Sequence, residues 1–179
     1  MPKSPRAFAT VVFCVLVAVA IAALSVFSVE RVNRNREAQT LTDSKLLGLA
    51  TREYAQDHSN HYPDAGRWEQ ELKPYLDRNA KPSYGDIVHP PAPIGGTPRQ
   101  FSLNPAVAGK TDTQIAGLKT PWLFYESVSK QPSATDDLDN WPEPKRDGGT
   151  SFAVVYTEGY SYPRPPEWKQ AVRQNLPGL

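Results

Sequence analysis

Three histidines, one cysteine and one tight group of carboxylates are the side chains in this sequence best suited to chemistry. His58 and His61 stand close enough in the chain to share a metal, but no cysteine and no evident third ligand accompanies them. The pair reads as two solvent-exposed turn histidines, with a zinc site as the alternative, and His89 stands apart. Asp136, Asp137 and Asp139, with Asn140, gather oxygen donors of the kind that suits Ca²⁺ in one loop. The plainer reading is a solvated acidic loop beside Lys145 and Arg146. Cys14 is the only cysteine and sits in an apolar run, so an internal disulfide and a cysteine-based zinc site are both excluded. No Ser-His-Asp order, glycine-rich phosphate loop or zinc-peptidase motif occurs, and Gly95-Gly96 is a lone loop pair. The expectation is therefore a non-enzymatic protein with no catalytic site, no metal and no cofactor. Trp122-Leu123-Phe124-Tyr125 reads as sheet core rather than a ligand platform, whereas Trp141 and Trp168 are aromatics that an exposed binding surface would use.

The elements that must position these residues divide sharply. Lys+Arg is 20 against Asp+Glu 19, a net charge of +1, so no clustered excess of base argues for nucleic acid as a partner. From Ala7 to Val29 there is no charge and most positions are Ala, Val, Leu, Ile or Phe. A run of that length can cross about 30 Å of hydrocarbon as a helix. Lys3 and Arg6 precede it, while Glu30, Arg31, Arg34, Arg36 and Glu37 follow, so the charge rule does not decide orientation. The short basic leading tail favours an N-terminus in the cytoplasm. The alternative, a signal peptide cut near Val26-Phe27-Ser28, suits a shorter apolar core than this one. A lipoprotein reading fails because Phe13 precedes Cys14 where a small residue is required. The expected division is a cytoplasmic tail over 1–6, a transmembrane helix over 7–29 and an extracytoplasmic head over 30–179.

Of 18 prolines only Pro2 and Pro5 come before Pro63, and neither proline nor glycine occurs between Phe8 and Leu47. Nothing forces the helix to end at the lipid boundary. The prediction is one helix from about Phe8 to about Asp57, roughly 75 Å long at 1.5 Å per residue. Its apolar stripe would be Leu46, Leu49, Ala50 and Tyr54, with Asp43, Lys45, Arg52 and Glu53 on the polar side. Gly48 would weaken it by about 1 kcal/mol unless something packs closely there. His58 to Pro63 reads as a turn, and Asp64 as the N-cap of a second helix carrying Trp68, Leu72, Tyr75 and Leu76 on one face. Pro74 should kink or restart that helix.

Beyond Lys81 the helical period gives way to short β-rich runs at Gln100–Leu103, Pro121–Glu126, Thr150–Thr157 and Tyr160–Tyr162. Long loops, Pro82–Arg99 and Lys130–Gly149, connect them, and Pro163–Leu179 reads as a short closing helix on Trp168, Ala171 and Val172. The fold class is thus α+β: a long N-terminal helix, half membrane-spanning and half amphipathic, packed on a small antiparallel sheet with long loops.

This order of parts resembles type IV pilins and type II secretion pseudopilins. Ser44-Lys45-Leu46-Leu47-Gly48-Leu49-Ala50, Tyr54-Ala55-Gln56-Asp57 and Tyr62-Pro63-Asp64 are similar to a stretch common in pilin-like proteins with a prepilin-type N-terminal segment. Phe101 to Lys110, followed by Trp122 to Glu126, is similar to that group's Asn-x-x-x-x-Gly loop and next strand, and Gly148-Gly149 to Gly159 to its final strand pair. The resemblance implies a membrane-anchored structural component of a secretion or pilus-type assembly in the bacterial cytoplasmic membrane. Its partners would be the lipid bilayer and other pilin-like or secretion-system proteins, met through the N-terminal helix. The processing site departs from the pattern. Arg6-Ala7-Phe8-Ala9-Thr10-Val11-Val12 keeps the basic residue and Phe8, but has Ala7 for Gly and Val12 for the usual Glu. Glu158-Gly159-Tyr160 likewise replaces Asp-Gly-His. Without the intramembrane glutamate the chain would be a poor repeating filament subunit; a tip or priming component and an unprocessed relative both remain open. An anchored extracytoplasmic binding domain for a sugar, peptide or envelope polymer is the alternative function.

Overall fold

The structure, a computed structural model, describes residues 5–79, 83–118, 122–136, 138, 140–142, 152–157, 161–164 and 168. Helix α1 runs unbroken from Pro5 to Asp57, as the absence of proline and glycine between Phe8 and Leu47 allows. It ends where Ser59 and Asn60 turn left-handed, at φ 56° and 62°. Every residue from Phe8 to Val32 is exposed, and burial against the head begins in the stretch Asn33–Thr40. The phase of the buried stripe differs from the expected one. Leu47, Ala50, Thr51 and Ala55 face the core with Thr40, Asp43 and Ser44, while Leu49 is 54% exposed. Leu46 and Tyr54 pack at the edge of the core. Gly48 is buried, the circumstance under which a helix glycine is tolerated.

Helix α2 spans Trp68–Asn79. Asp64 does not cap it. The chain makes a turn first, Asp64 pairing with Arg67 and its amide donating to Glu71 Oε2 at 2.8 Å, and the helix starts at Trp68, three residues later than expected. Trp68, Leu72, Tyr75 and Leu76 are buried on one face as the spacing predicted. Pro74 neither breaks nor restarts the helix. It and Gln70, whose carbonyl would have met the missing N–H, both lie on the exposed side.

The connection expected as a loop after Pro82 contains helix α3, Tyr84–Val88, which buries Ile87 and Val88 completely. Strand β1 is Gln100–Leu103, followed by a short helix α4 at Asp112–Ile115. Strands β2, Trp122–Ser127, β3, Phe152–Tyr156, and β4, Ser161–Arg164, complete a four-stranded antiparallel sheet in the order β1-β2-β3-β4. The fourth strand thus takes Pro163 and Arg164 from the segment expected as a closing helix. A register shift between Trp122 and Phe124 marks a bulge in β2.

Both sheet faces are covered, which is why β2 opens with four apolar or aromatic residues without alternation and is buried at all six positions, Glu126 and Ser127 included. Phe101, Leu103, Leu123, Phe124, Ala153 and Val155 pack with α1 and α2 residues in one cluster. Trp122, Tyr125, Phe152 and Val154 form a second with Leu138, Trp141 and Trp168. Trp68 anchors the first, its Nε1 donating to Ala134 O at 3.0 Å and its ring lying edge-on to Phe124. Thr150, Glu158–Tyr160, Gly148-Gly149, Ala171 and Val172 lie outside the described residues.

Candidate functional site

The feature that dominates the surface is the bare half of α1. Phe8, Phe13, Leu16, Val19, Ile21, Leu24, Val26 and Phe27 are each more than half exposed, and none of the most apolar stretch is buried. This helix is long and apolar enough to cross a membrane. The hydroxyls of Ser25 and Ser28 are satisfied within it, donating to Ile21 O at 2.9 Å and Leu24 O at 2.8 Å. Cys14 is a free, exposed thiol on this surface.

Where the bare half meets the head, α1 and the segment preceding β1 are clasped together. Asn33 Oδ1 accepts from Ile94 N at 2.8 Å, and Arg36 donates to Ala92 O. Beneath this clasp Arg36, Glu37, Thr40 and Leu41 close over Pro91, Pro93, Arg99, Glu126 and Phe152. Arg99 and Glu126 form an ion pair with side chains 3% and 4% exposed. Glu126 Oε2 also accepts from Ala153 N at 3.2 Å, and the guanidinium lies 4.9 Å from the Phe152 ring centre. Burial pushes the Glu126 carboxyl up, and Arg99 pulls it back. Arg99 Nε and Nη2 meet no acceptor among the described residues.

One turn deeper, Asp43 is 1% exposed with Oδ2 unpartnered among the described residues. The sequence spacing puts it on the polar side of α1 instead. Burial, reinforced by Asp86, raises its carboxyl to about 6. The next residue, Ser44, hydrogen bonds Ser161 of β4. Sequence spacing missed Arg99, Glu126 and Asp43, because such residues look like ordinary surface charges until the helix phase and sheet register are known.

The residues singled out for metal chemistry are otherwise occupied. His58 and His61 lie exposed in the turn, their Nδ1 atoms bonded to Tyr54 O at 2.8 Å and His58 O at 3.0 Å. His58 also stacks on Tyr54 at 3.9 Å between ring centres. Tyr54 is raised to about 12 by burial and by Glu71. Asp136 is an internal acceptor: Ser102 Oγ donates to it at 2.8 Å, Tyr125 Oη donates to its other oxygen, and Asn140 Nδ2 lies at 3.3 Å. Asp137 and Asp139 lie outside the described residues, as do Lys145 and Arg146. Among the described residues no three His, Cys, Asp or Glu side chains gather to hold a metal.

Trp141 and Trp168 do not form an exposed platform. They are 7% and 4% exposed, 5.4 Å apart, and Trp141 stacks on Tyr125 at 5.6 Å. Trp122 to Tyr125 are sheet core, none more than 1% exposed. A polar recess remains at the far end of α1, lined by Arg52, Gln56, Asn60, Tyr62, Asp112 and Thr157, with Tyr62 Oη donating to Asp112 at 2.7 Å. Comparison of the chain with protein-family models, with curated proteins and with solved structures gives no match.

Proposed function

We propose that this chain is a pilin-like structural component of a secretion or pilus-type assembly, anchored once in the bacterial cytoplasmic membrane and non-enzymatic. Its N-terminus is cytoplasmic and its head extracytoplasmic. The observation that carries this reading is the continuity of α1: one helix supplies both the bare apolar half and the buried spine of a head built on an antiparallel sheet. With Val12 in place of a glutamate, the intramembrane half associates with partner helices by packing rather than by a buried charge. Mass spectrometry of the protein taken from membranes tests the processed form, with Phe8 expected as the first residue, N-methylated. Photo-crosslinking from positions in the apolar half tests assembly. Capture of a second helix-anchored protein is expected, and products with lipid alone would sink the assembly role.

The polar recess favours a second reading, an anchored binding domain, since the side chains of Arg52, Gln56, Asn60, Tyr62, Asp112 and Thr157 line it beside a single small apolar one, Ala55. Saturation-transfer NMR with envelope glycans and peptides tests it, and silence across both sets removes it.

A further inference from the structure

From Pro90 to Pro98 the chain carries no charge, and four of its residues, Pro90, Pro91, Pro93 and Pro98, have no backbone N–H. Some of the donors and acceptors at its centre are held within the protein. Ile94 N is held by Asn33, Gly96 N donates to Pro93 O at 2.9 Å, and Ala92 O is held by Arg36. Gly95, at φ +79°, gives the turn Pro93-Ile94-Gly95-Gly96 the left-handed third residue of a type II turn. Four prolines and these bonds reduce the number of backbone donors the segment presents, and the carbonyls that remain can keep water in a hydrated headgroup layer. At its tip stands Ile94, 46% exposed; among the described residues beyond α1 no other large apolar side chain is exposed.

Its height is fixed by the clasp. Asn33 lies four residues past Val29, the last residue of the apolar run, so about 6 Å along the helix axis. The polar interfacial layer of a bilayer is of roughly that thickness on each side of the hydrocarbon. Arg31 and Arg34 are exposed at the same level, where lipid phosphates would lie. We propose that the Ile94 turn inserts into the headgroup layer of the bilayer that α1 crosses, giving the head a second point of attachment to the membrane. This rests on reading α1 as a membrane span. The second contact restrains the head from pivoting about the helix and sets its face toward the lipid.

The test uses the full chain in phosphatidylcholine–phosphatidylglycerol vesicles, labelled with an environment-sensitive fluorophore at one thiol at a time. The three positions are native Cys14, Ile94→Cys in a Cys14→Ala background, and Gln56→Cys in the same background. Gln56 lies exposed near the far end of α1. The label at Cys14 should be quenched by a lipid carrying its quencher deep in the acyl chain. The label at position 94 should respond to a quencher near the headgroup and be several-fold less sensitive to aqueous iodide than the label at position 56. Equal iodide sensitivity at 94 and 56, with Cys14 still quenched from within the bilayer, overturns the proposal and leaves the span intact. Iodide access to Cys14 would overturn both. Shielding at 94 that disappears as protein is diluted in lipid would assign the turn to a contact between chains and also overturn the proposal.

Discussion

Arg99 and Glu126 sit with Phe152 against the guanidinium and α1 closing over them, so each charge depends on the other for its stability. Removing one partner strands the other in a dry site, which costs about 3–5 kcal/mol, whereas an apolar replacement of both is close to neutral. Arg99→Met should therefore lower the stability of the full chain by about 3 kcal/mol or more in denaturant titrations in detergent. The double variant Arg99→Met/Glu126→Leu should recover most of that loss. Asp43 carries the opposite sign of effect. Its folded carboxyl is raised to about 6, above the ordinary value near 4, so the folded state holds the proton more tightly than the unfolded chain. Stability is then unaffected below about pH 4, falls as pH rises toward 6, and is level above it. Asp43→Asn should remove the Asp43 share of this slope, leaving that of Glu126, whose carboxyl burial also raises, and should raise stability at pH 7 by about 2 kcal/mol. Unfolding midpoints measured between pH 4 and pH 8 would show it, and a slope that is undiminished in the variant assigns the titration to another group.

The elements follow from different kinds of signal, and their phases from none that is local. Leu47 is fully buried and Leu49 more than half exposed, the reverse of what the apolar spacing of this stretch suggests for Leu49. Leu47→Ala should cost about 2–5 kcal/mol, and Leu49→Ala should stay within about 0.5 kcal/mol, by thermal unfolding of the same protein in detergent. The extent of α1 was legible because neither proline nor glycine occurs between Phe8 and Leu47, and β2 and β3 because each is a β-branched or aromatic run; β1 and β4 carry one aromatic residue each, and the end of β4 at Pro163 and Arg164 was not legible. The face that α1 presents was not, since Thr40, Asp43, Ser44 and Thr51 are buried polar residues whose choice depends on β4 and α3 arriving there. Helices α3 and α4 were legible in principle. Ser83 with Asp86 and Thr111 with Gln114 have capping-box spacing, and Ser83 N to Asp86 Oδ2 at 3.2 Å and Thr111 N to Gln114 Oε1 at 2.9 Å realise it. Their shortness hid them among prolines and glycines. The clasp at Asn33 and Arg36, the heart of the junction, joins residues about sixty apart in the chain and has no sequence signature. The turn after β1 is tighter still: Gly109 has φ +67°, and a Cβ there would lie 2.9 Å from Asp64 Oδ1. Gly109→Ala should lose about 1–2 kcal/mol from backbone strain alone.

At the scale of the whole molecule, one helix carries both a bare apolar half and the buried spine of the head. The exposed residues from Phe8 to Val32 contribute nothing to the packing of the head, which begins at Asn33 and Arg36. Helix propensity alone does not hold so long a segment in water, but the remaining part of α1 keeps its tertiary contacts through Leu47, Ala50 and Ala55. Removing residues 1–29 should therefore release a soluble head whose thermal midpoint moves by less than about 2 °C from that of the full chain in detergent. Removing residues 1–37 deletes the clasp as well. Each of its two hydrogen bonds is worth about 1 kcal/mol, so the midpoint should fall by several degrees, at about 2–4 °C per kcal/mol for a domain of this size. Circular dichroism melts of the two truncated proteins, side by side, make the comparison. If the shorter truncation already destabilises the head, the apolar half is part of its core rather than a bilayer anchor. If only the longer one does, the boundary between anchor and head lies at Asn33, just beyond the last apolar turn of α1.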